Sequence, residues 1–350
     1  MKTTSPILVT GSHRCGSTFL GRMLSIPSQI AFVEEAMNIK YGVEGVSEWV
    51  PYVTKNSKKS EQYSKILSDI LSFRAQYKEF NDERYVELIQ GQINNRKFQN
   101  EEQRQRMIAL FTKMMDSSNS AQYYSQPSKP TVFEHIFRKC FKSKQNFSYQ
   151  IHRHNPMIKR ILLKDVSAAL MSEWMHQEFG VQTVVLIRHP MAIIGSMKRV
   201  NWHFDLRVFL SQKSLVQDYS RFMPSGNIDK LTEVERNAYI WNIIYGVLSD
   251  YLNRNPKMIA IRHEDICQQP IETIRDLYDR LDLPYSSKVE KSIQKYTNNN
   301  NPISPPGNKF IYLRRNSNAI LNMWKQYLTE KDINTIKSIT GGLASQWYDL

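Results

Sequence analysis

Short apolar runs alternate with longer stretches of helical periodicity along most of the chain. Five of the runs are typical of buried strands: residues 7–10, 30–33, 161–163, 183–187 and 258–261. Helical patterns follow four of them, at residues 17–25, 167–179, 191–200 and 271–281. Strands that alternate with helices in this way usually pair in parallel. The pattern therefore predicts an α/β fold, a doubly wound parallel sheet flanked by helices.

The stretch from residue 41 to residue 159 interrupts this alternation. It is polar and charged, with helical patterns at residues 83–93 and 101–115 and loop signals at residues 117–120 and 126–130. We therefore expect a single domain over residues 1–350. Its core should be formed by residues 6–36 and 158–350, and a large, mostly helical insertion should span about 41–157, packed against the sheet edge. A further loop is expected at residues 298–307, where asparagines precede prolines and a glycine.

The segment GSHRCGST, at residues 11–18, follows the first predicted strand and opens the first predicted helix. It matches the phosphate-loop pattern G-x-x-x-x-G-K-[ST] except at Ser17, which stands in the place of the lysine. The N–H groups of such a loop and the following helix N-terminus point at an anion. Because the missing lysine normally binds a β/γ-phosphate, the loop suits a phosphate ester better than a triphosphate. The predicted sheet is thus P-loop-like.

The chain of 350 residues carries a formal net charge of +14, from 47 basic and 33 acidic residues. This excess predicts attraction to anions without saying which anion. Basic and aromatic residues are interleaved most densely at residues 137–160. Such a stretch is typical of polyanion binding, and equally of a solvated face on which lysine stems cover apolar surface.

Several other classes of protein are not indicated. The chain is 41% hydrophobic but has no run of 18 apolar residues, so we expect a large core and no membrane span. The first strand begins too early to leave room for a secretory signal. Cys15, Cys140 and Cys267 lack metal-ligand spacing, so we expect reduced thiols and a cytoplasmic location. His152 and His154 alternate on a piece that we interpret as strand-like, and without a third ligand they do not indicate a metal.

Polar residues stand where the predicted strands end. Ligands of open parallel sheets bind at the carboxyl ends of strands, so these residues should meet over one crevice. They are Arg14 after the first strand, Glu34 and Glu35 after the second, Lys164 and Asp165 after the third, and Arg188 and His189 after the fourth.

These residues resemble the sulfotransferases that use 3′-phosphoadenosine 5′-phosphosulfate (PAPS), chiefly the carbohydrate and tyrosyl-protein branch and its bacterial relatives. HRCGSTFL at residues 13–20 is similar to their 5′-phosphosulfate loop, and residues 187–196, IRHP with a later serine, are similar to their 3′-phosphate motif. The C-terminal segments RHEDI (262–266), LDLP (281–284) and WKQYLT (324–329) match as well. The resemblance covers about residues 6–36 and 158–350, whereas the insertion matches nothing.

The resemblance implies catalytic roles for three residues. A glutamate just past the second strand is the general base in that family, and Glu35 lies at the matching place. Glu34 is the alternative base because neighbouring strand residues point to opposite faces, and helix capping is an alternative role for either glutamate. Lys164 is expected to follow the charge that develops on the leaving phosphate, and Arg14 to bridge phosphate and sulfonate.

The resemblance also implies a nucleotide site, with PAPS as sulfate donor, 3′-phosphoadenosine 5′-phosphate (PAP) as product and no metal. The 5′ side should be held by the loop residues Arg14, Cys15, Gly16, Ser17, Thr18 and Phe19. Arg188 and Ser196 are expected on the 3′-phosphate. Lys309, Arg314, Arg315 and Ser317 lie where the family places a lid over the nucleotide, and either Arg314 or Arg315 should contact phosphate.

The remaining polar and aromatic residues of these motifs are given structural roles. Cys15 has no His–Asp arrangement beside it in sequence, so we interpret its side chain as loop packing. Asp165 should cap the helix that begins at Ser167. Glu264 and Asp265 should cap the helix that begins near Pro270, and Trp324 and Trp347 should anchor the C-terminal helices in the core.

The sequence thus predicts a PAPS-dependent sulfotransferase acting on an acceptor hydroxyl. A carbohydrate or small metabolite is the expected acceptor, with an anionic glycan among the candidates, and a tyrosine side chain is an alternative. Two other classes stay open: a P-loop kinase or nucleotidase, against which the missing lysine argues, and a non-enzymatic polyanion-binding protein, indicated by charge alone. Nucleic acid is not an expected partner, and the sequence does not predict an oligomeric state.

Overall fold

The computed structural model describes residues 5–78, 143–304 and 312–349, and its centre is a parallel β-sheet of five strands. The strands are β1 (Ile7–Gly11), β2 (Ile30–Glu34), β3 (Arg160–Lys164), β4 (Gln182–Ile187) and β5 (Ile259–Arg262). They lie in the order β2-β3-β1-β4-β5, and every neighbouring pair is parallel. The prediction of an α/β, doubly wound parallel sheet is confirmed.

Helices connect and cover the strands. The described α-helices are α1 (Ser17–Leu24), α2 (Ser60–Leu71), α3 (Lys144–Arg153), α4 (Ser172–Phe179), α5 (Pro190–Arg199), α6 (Arg207–Leu210), α7 (Lys213–Tyr219), α8 (Glu233–Arg254), α9 (His263–Gln268), α10 (Pro270–Arg280), α11 (Ser287–Thr297) and α12 (Glu330–Ala344). Short 3₁₀ segments lie at Ala169–Met171, Ser220–Phe222, Ile228–Lys230 and Ala319–Gln326. Among the described residues, no helix is both long enough and apolar enough to cross a bilayer.

Both faces of the sheet are buried, which explains why its strands are continuous apolar runs. Ile7 and Val9 of β1 belong to the core on one face, together with Leu20 of α1. Leu8, between them in sequence, belongs to the core on the other face, with Trp174 of α4. The alternation of side chains along β1 thus divides one strand between two helical layers.

The four helices predicted after the strands are present, with one shift at a start. The pattern at residues 167–179 predicts a continuous helix, but the structure has the 3₁₀ segment Ala169–Met171 followed by α4. Asp165 Oδ1 accepts a hydrogen bond from Ser167 N at 3.0 Å, as a capping residue does. This bond therefore stabilises the turn before the helical segment and not an α-helix beginning at Ser167.

The interpretation of His152 and His154 as part of a strand is wrong. His152 lies in the last turn of α3, and His154 is the residue that ends this helix. Nε2 of His152 accepts a hydrogen bond from Phe32 N at 3.3 Å, on the edge strand β2. The histidine therefore satisfies a backbone donor that an edge strand would otherwise leave unpaired. The H-x-H spacing was interpreted as strand alternation, but it belongs to a helix that packs against the edge strand β2.

The predicted capping role of Glu264 and Asp265 is also wrong. Both residues lie in the first turn of α9, which begins directly after β5, and no side chain within the described ranges caps α10. Asp265 Oδ2 instead accepts a hydrogen bond from Arg262 Nε at 3.0 Å. Glu264 Oε1 accepts one from His189 N at 3.1 Å, which ties the end of β4 to α9.

Two tryptophans anchor the C-terminal segments, as predicted. The backbone at Trp324 comes so close to α5 that a Cβ on Gly195 would lie 2.8 Å from the Trp324 Cβ. The ring of Trp347 meets Trp241 of α8 edge-on, with centroids 6.4 Å apart. The end of the chain is thus fixed to α5 and α8, the helices beside the carboxyl ends of β1 and β4.

Part of the predicted insertion lies within the described ranges. α2 packs in the same core cluster as β2, and α3 packs against β2 itself. Several predicted features lie outside the described residues: the helices at 83–93 and 101–115, the loops at 117–120 and 126–130, Cys140, Lys309 and residues 305–307 of the loop at 298–307. The domain boundaries at 6–36, 41–157 and 158–350 stay a prediction.

Replacement of Gly246 in α8 by alanine should destabilise the fold, because its Cβ would overlap the ring of Phe222. We expect a loss of about 1–3 kcal/mol in the free energy of unfolding, measured by urea titration. Gly341→Ala in α12 is the matched control, since a Cβ there would meet nothing within 4 Å. It should gain about 0.5–1 kcal/mol from helix propensity. Equal effects of the two substitutions would contradict the close approach at Gly246.

Candidate active site

The loop at residues 11–16 connects β1 to α1 in a strained conformation. Arg14 and Gly16 have φ angles of 64° and 103°, in the left-handed region. Cys15 N donates to Ser12 O at 3.2 Å, which closes the turn. No described side chain caps the N-terminus of α1, which starts at Ser17. The loop therefore presents a helix N-terminus with donor groups at the carboxyl end of β1, as an anion site requires.

Buried side chains from the helices α8 and α9 hold this loop in place. Ser12 N donates to the hydroxyl of Tyr245 at 3.3 Å, and that hydroxyl donates to Leu186 O at 3.0 Å. The His263 ring packs so closely that a Cβ on Gly16 would lie 2.6 Å from its Cδ2. Burial lowers the pKa of His263 well below its usual value, and the charges of Arg188 and Arg315 add to this effect. His263 therefore packs against the loop as a neutral ring.

Glu35 and Lys164 form a buried ion pair beside the loop. Lys164 Nζ donates to Oε1 of Glu35, and the two side chains are 3% and 12% exposed respectively. The lysine stem passes Gly21 of α1, where a Cβ would lie 3.1 Å from the Lys164 Cβ. The ammonium thus reaches the carboxyl end of the sheet from beneath the phosphate loop. The structure brings these two predicted site residues together.

Glu34 also faces Lys164, although adjacent strand residues normally point to opposite faces. Its Oε1 lies 3.8 Å from Lys164 Nζ, and its side chain is 23% exposed. The exception arises at Glu35, whose φ of 52° takes it out of the β conformation. Glu35 N nevertheless donates to Lys164 O at 2.8 Å, so the turned residue stays attached to β3. Glu35 makes the direct contact, and Glu34 is the more distant and more exposed neighbour.

The protonation of Glu35 is set by competing effects. Burial alone would raise its pKa, but the Lys164 charge and hydrogen bonds from Lys164 and Tyr41 outweigh burial and hold the pKa below the usual value. Glu35 is therefore ionised at neutral pH. An ionised carboxylate at a sheet end can accept a proton from a hydroxyl, which is the chemical requirement for a general base.

Asp165 supports this arrangement from below. Its Oδ2 accepts a hydrogen bond from Met37 N at 2.6 Å, so it fixes the chain two residues after Glu35. Burial raises the pKa of Asp165 to about 7, and the nearby charge of Glu35 adds to this effect, while Lys164 and the hydrogen bonds oppose it. The sequence analysis gave Asp165 only a capping role and missed this second contact.

Arg14, Arg188 and Ser196 also come together. Arg14 Nε donates to Ser196 Oγ at 3.2 Å, and Arg188 Nη1 donates to Arg14 O at 2.7 Å. The predicted 5′ and 3′ motifs therefore meet through Arg14. Arg188 Nε is buried and has no hydrogen-bond partner among the described residues. A buried guanidinium N–H without a partner is costly unless an anion binds there.

Two further arginines approach Arg188. The pKa of Arg315 is lowered to about 10, first by burial and then by the charges of Arg199 and Arg188. Arg199 ends α5 three residues after Ser196, and burial lowers its pKa too. Arg314 donates instead to Asn301 Oδ1 at 2.9 Å. The structure thus brings Arg315 to the cluster and not Arg314, and it adds Arg199, which the i, i+3 spacing from Ser196 could have revealed.

The other residues predicted for the phosphate loop and the C-terminal segment are buried or partly buried where the structure describes them. Ser17 is buried at the start of α1, while Thr18 and Phe19 are partly buried in its first turn. The thiol of Cys15 is fully buried, and burial raises its pKa, so this side chain packs in the core as a neutral thiol. Ser317 is buried and donates to Thr297 O at 3.2 Å. Lys309 lies outside the described ranges.

An aromatic wall flanks the base on the side of the loop. The ring of His13 packs against Phe204 at a tilt of 35° with centroids 4.7 Å apart, and Trp202 meets His13 edge-on at 5.1 Å. Trp49 extends the wall to 6.0 Å from Phe204. Burial lowers the pKa of His13 to about 4, with Lys164 and Arg14 adding to the effect and Glu35 opposing it. The sequence analysis missed this wall, since its members come from three separate segments.

The site therefore combines an anion-binding loop, an ionised base held by a lysine, and a group of arginines with an unpaired donor. Within the described part of the chain, no group of three or more His, Cys, Asp or Glu side chains could hold a metal ion. Chemically, this combination suits anionic groups and can accept a proton from a hydroxyl placed next to them.

The chain is similar to one protein family and to several solved structures. The model of the sulfotransferase family matches residues 6–287, whereas no curated protein matches the sequence. Sulfotransferase STF9 from Mycobacterium avium superposes with a TM-score of 0.42 at 11% identity, covering 100% of this chain and 78% of that one. The sulfotransferase domain of the curacin biosynthetic pathway gives a TM-score of 0.41 at 13% identity, covering 100% of both chains.

Retinol dehydratase in complex with retinol and PAP gives a TM-score of 0.42 at 14% identity, covering 100% of this chain and 83% of that one. These structural similarities are weak, and the assignment rests on the family model, which spans most of the chain. Together with the parallel sheet and its phosphate loop, the match has one conclusion: the chain belongs to the sulfotransferase family.

Proposed function

We propose that the protein transfers a sulfuryl group from PAPS to an acceptor hydroxyl, with Glu35 as general base. The observation that carries this proposal is the buried contact of Glu35 with Lys164 at the end of β3, next to the loop that begins α1. An ionised carboxylate, a cation and an anion cradle are the groups that in-line transfer from a phosphate ester to a hydroxyl needs.

The proposed reaction is a single displacement at sulfur. Glu35 takes the proton of the acceptor hydroxyl as the acceptor oxygen forms its bond to sulfur. The bond between sulfur and the 5′-phosphate oxygen breaks, and its electron pair stays on that phosphate, which leaves as part of PAP. The Lys164 ammonium, held beside Glu35 at the end of β3, would stabilise the charge on the leaving phosphate. Arg14 and the N-terminus of α1 would stabilise the same oxygens.

The arginine cluster suits the 3′-phosphate. The unpaired Nε of Arg188 would donate to it, Ser196 would add a hydroxyl donor, and Arg315 would supply a second charge. Arg199 adds a further positive charge, and a dianion bound among these cations would reduce the repulsion between them. We therefore assign phosphate contact to Arg315 and not to Arg314.

The acceptor would approach along the wall of His13, Trp202, Phe204 and Trp49. Aromatic rings beside a base suit the face of a sugar ring or of another small metabolite. The described free thiols of Cys15 and Cys267 are consistent with the reducing cytoplasm, where we place the reaction. Membership of the sulfotransferase family disfavours the kinase and polyanion-binding alternatives.

PAP should bind without a divalent metal, because the loop and the arginines supply the positive charge. Calorimetry with PAP in the presence of a chelator should give the same dissociation constant as with magnesium. ATP, which lacks the 3′-phosphate, should bind more weakly in both buffers. A strict requirement for magnesium, or tighter binding of ATP, would contradict the proposal.

Glu35→Gln should lower turnover by about 10²–10⁴-fold, because glutamine keeps the shape but cannot take the proton. Affinity for PAP, measured by calorimetry, should stay close to that of the wild type. Glu34→Gln is the matched control and should have a much smaller effect, since Glu34 lies 3.8 Å from Lys164 and is more exposed. If Glu34→Gln were the inactive variant, the base would be Glu34. If both variants kept full activity, no glutamate here would be the base.

Arg188→Ala should weaken the binding of PAP by roughly 10- to 150-fold, because the substitution removes a charge-assisted contact to the 3′-phosphate worth about 1.5–3 kcal/mol. The weaker binding of adenosine 5′-phosphosulfate, which lacks that phosphate, should change little. Ser196→Ala should act in the same direction but more mildly, and the two losses should not add.

Titration of both nucleotides against these variants and their double variant is the measurement. Arg275→Ala is the charge-matched control, since Arg275 pairs with Glu290 on the outside of the fold. Equal weakening of both nucleotides by Arg188→Ala would show that Arg188 holds something other than the 3′-phosphate.

A further inference from the structure

The carboxylate of Glu35 is held on both of its oxygens. Lys164 Nζ donates to Oε1, and the hydroxyl of Tyr41 donates to Oε2. Asn38 Nδ2 approaches Oε2 at the longer distance of 3.4 Å. A carboxylate offers about four lone-pair directions, so a hydroxyl bound beside the base still finds an acceptor. Tyr41 lies in none of the motifs that mark the nucleotide site.

Tyr41 stands in a tight loop that fixes its position. Val43 N donates to Ala36 O at 2.8 Å, and Gly42 N donates to Asn38 O at 2.8 Å. The chain is so close here that a Cβ on Gly42 would lie 2.7 Å from Asn38 N and would collide with carbonyl oxygens. The loop that follows the base is therefore closed on itself by its own backbone.

A buried lysine clamps the same loop from outside. Lys78 is 7% exposed, and its Nζ donates to Ile39 O at 3.0 Å and also to Val46 O. Lys78 N donates to Gly42 O at 2.9 Å. The contacted residues lie before and after Tyr41 in the sequence. The loop backbone that carries Tyr41 is thus held in place by these contacts, and the phenol lies beside Glu35 on a prearranged support.

The charged and titratable groups around Glu35 come from several elements. Lys164 faces it from β3, His13 from the phosphate loop, and Tyr41 from the loop after β2, and the Asp165 carboxyl is also close enough to feel its charge. Glu34 shares Lys164 with it at 3.8 Å. Of these, Tyr41 is the neutral donor whose contact can be removed without changing any charge near the site.

We propose that Tyr41 is a positioning residue for the base: its phenol fixes the orientation of the Glu35 carboxylate and stabilises the ionised form that accepts the proton. This inference rests on the proposed function, in which Glu35 is the base. A donor to the ionised form favours that form over the protonated one. Without the phenol, Glu35 should become protonated at a higher pH, so that the enzyme loses its base earlier as the solution is acidified.

The test is Tyr41→Phe, followed through the pH dependence of kcat/KM and through calorimetry with PAP. The acid limb of the profile should move up by about one pH unit, the size expected for one hydrogen bond to a charged group. Below that limb, kcat/KM should be roughly tenfold lower than in the wild type at the same pH. The dissociation constant of PAP should not change, which also shows that the variant is folded.

Tyr63→Phe is the matched control. Tyr63 lies in α2, and its buried hydroxyl has no hydrogen-bond partner in the described part of the chain. Loss of this hydroxyl should leave the acid limb where it is. An equal shift in Tyr63→Phe would show a general effect of a lost phenol and would overturn the assignment to Tyr41.

Glu35→Gln, measured beside these variants, separates the two hypotheses. If it is inactive and the acid limb of Tyr41→Phe does not move, the base stands and the role of Tyr41 is overturned. A Tyr41→Phe variant that loses turnover with an unmoved acid limb overturns that role as well. If Glu35→Gln stays active, the proposed function itself loses its base. A shifted limb with unchanged PAP affinity supports the inference.

Discussion

The rest of the site depends on the ion pair between Glu35 and Lys164. Both side chains are removed from water, so each charge would be costly alone, and loss of one partner of a buried pair typically costs about 3–5 kcal/mol. The pair is held by the sheet, because Glu34 pairs in register with Lys164 and Glu35 N donates back to the lysine carbonyl. A carboxylate kept ionised in such surroundings owes its charge to the lysine. The carboxylate and the ammonium therefore form a single unit where β2 and β3 end.

The apolar runs located all five strands because a sheet buried on both faces needs continuous hydrophobic sequence, and phosphate-loop spacing located the helix start that follows β1. The choice between Glu34 and Glu35 could not be made from strand alternation. Alternation assumes that the residue stays in the β conformation, and Glu35 leaves it with a positive φ. The sequence analysis missed that His152 lies in a helix and that α9 starts at His263. Both features depend on contacts between segments far apart in sequence. Nothing in local sequence encodes a bond to an edge strand.

Electrostatic cost is concentrated around Arg188. Burial lowers the pKa of both Arg199 and Arg315, the charge of Arg188 lowers both further, and one guanidinium N–H of Arg188 remains buried without a partner among the described residues. Folding a chain of net charge +14 so that arginines gather in one place opposes stability. Such an arrangement is typical of functional sites, where local stability is given up for ligand binding. The site is thus organised in advance for an anion, and little rearrangement needs to accompany binding.

The docking of Trp324 against Gly195 has a consequence for the segment before it. The segment 315–324 is attached at both ends. At one end the Arg315 N–H donates to Tyr296 O at 2.9 Å, and at the other Trp324 packs on α5, the helix that carries Ser196. Because this chain segment is held at both ends, the Arg315 side chain stays near Arg188 at a high effective concentration, whether or not a ligand is bound. In the proposed function, PAP would therefore find Arg315 already close to its 3′-phosphate. That closeness is a property of the C-terminal anchor and not of the phosphate loop.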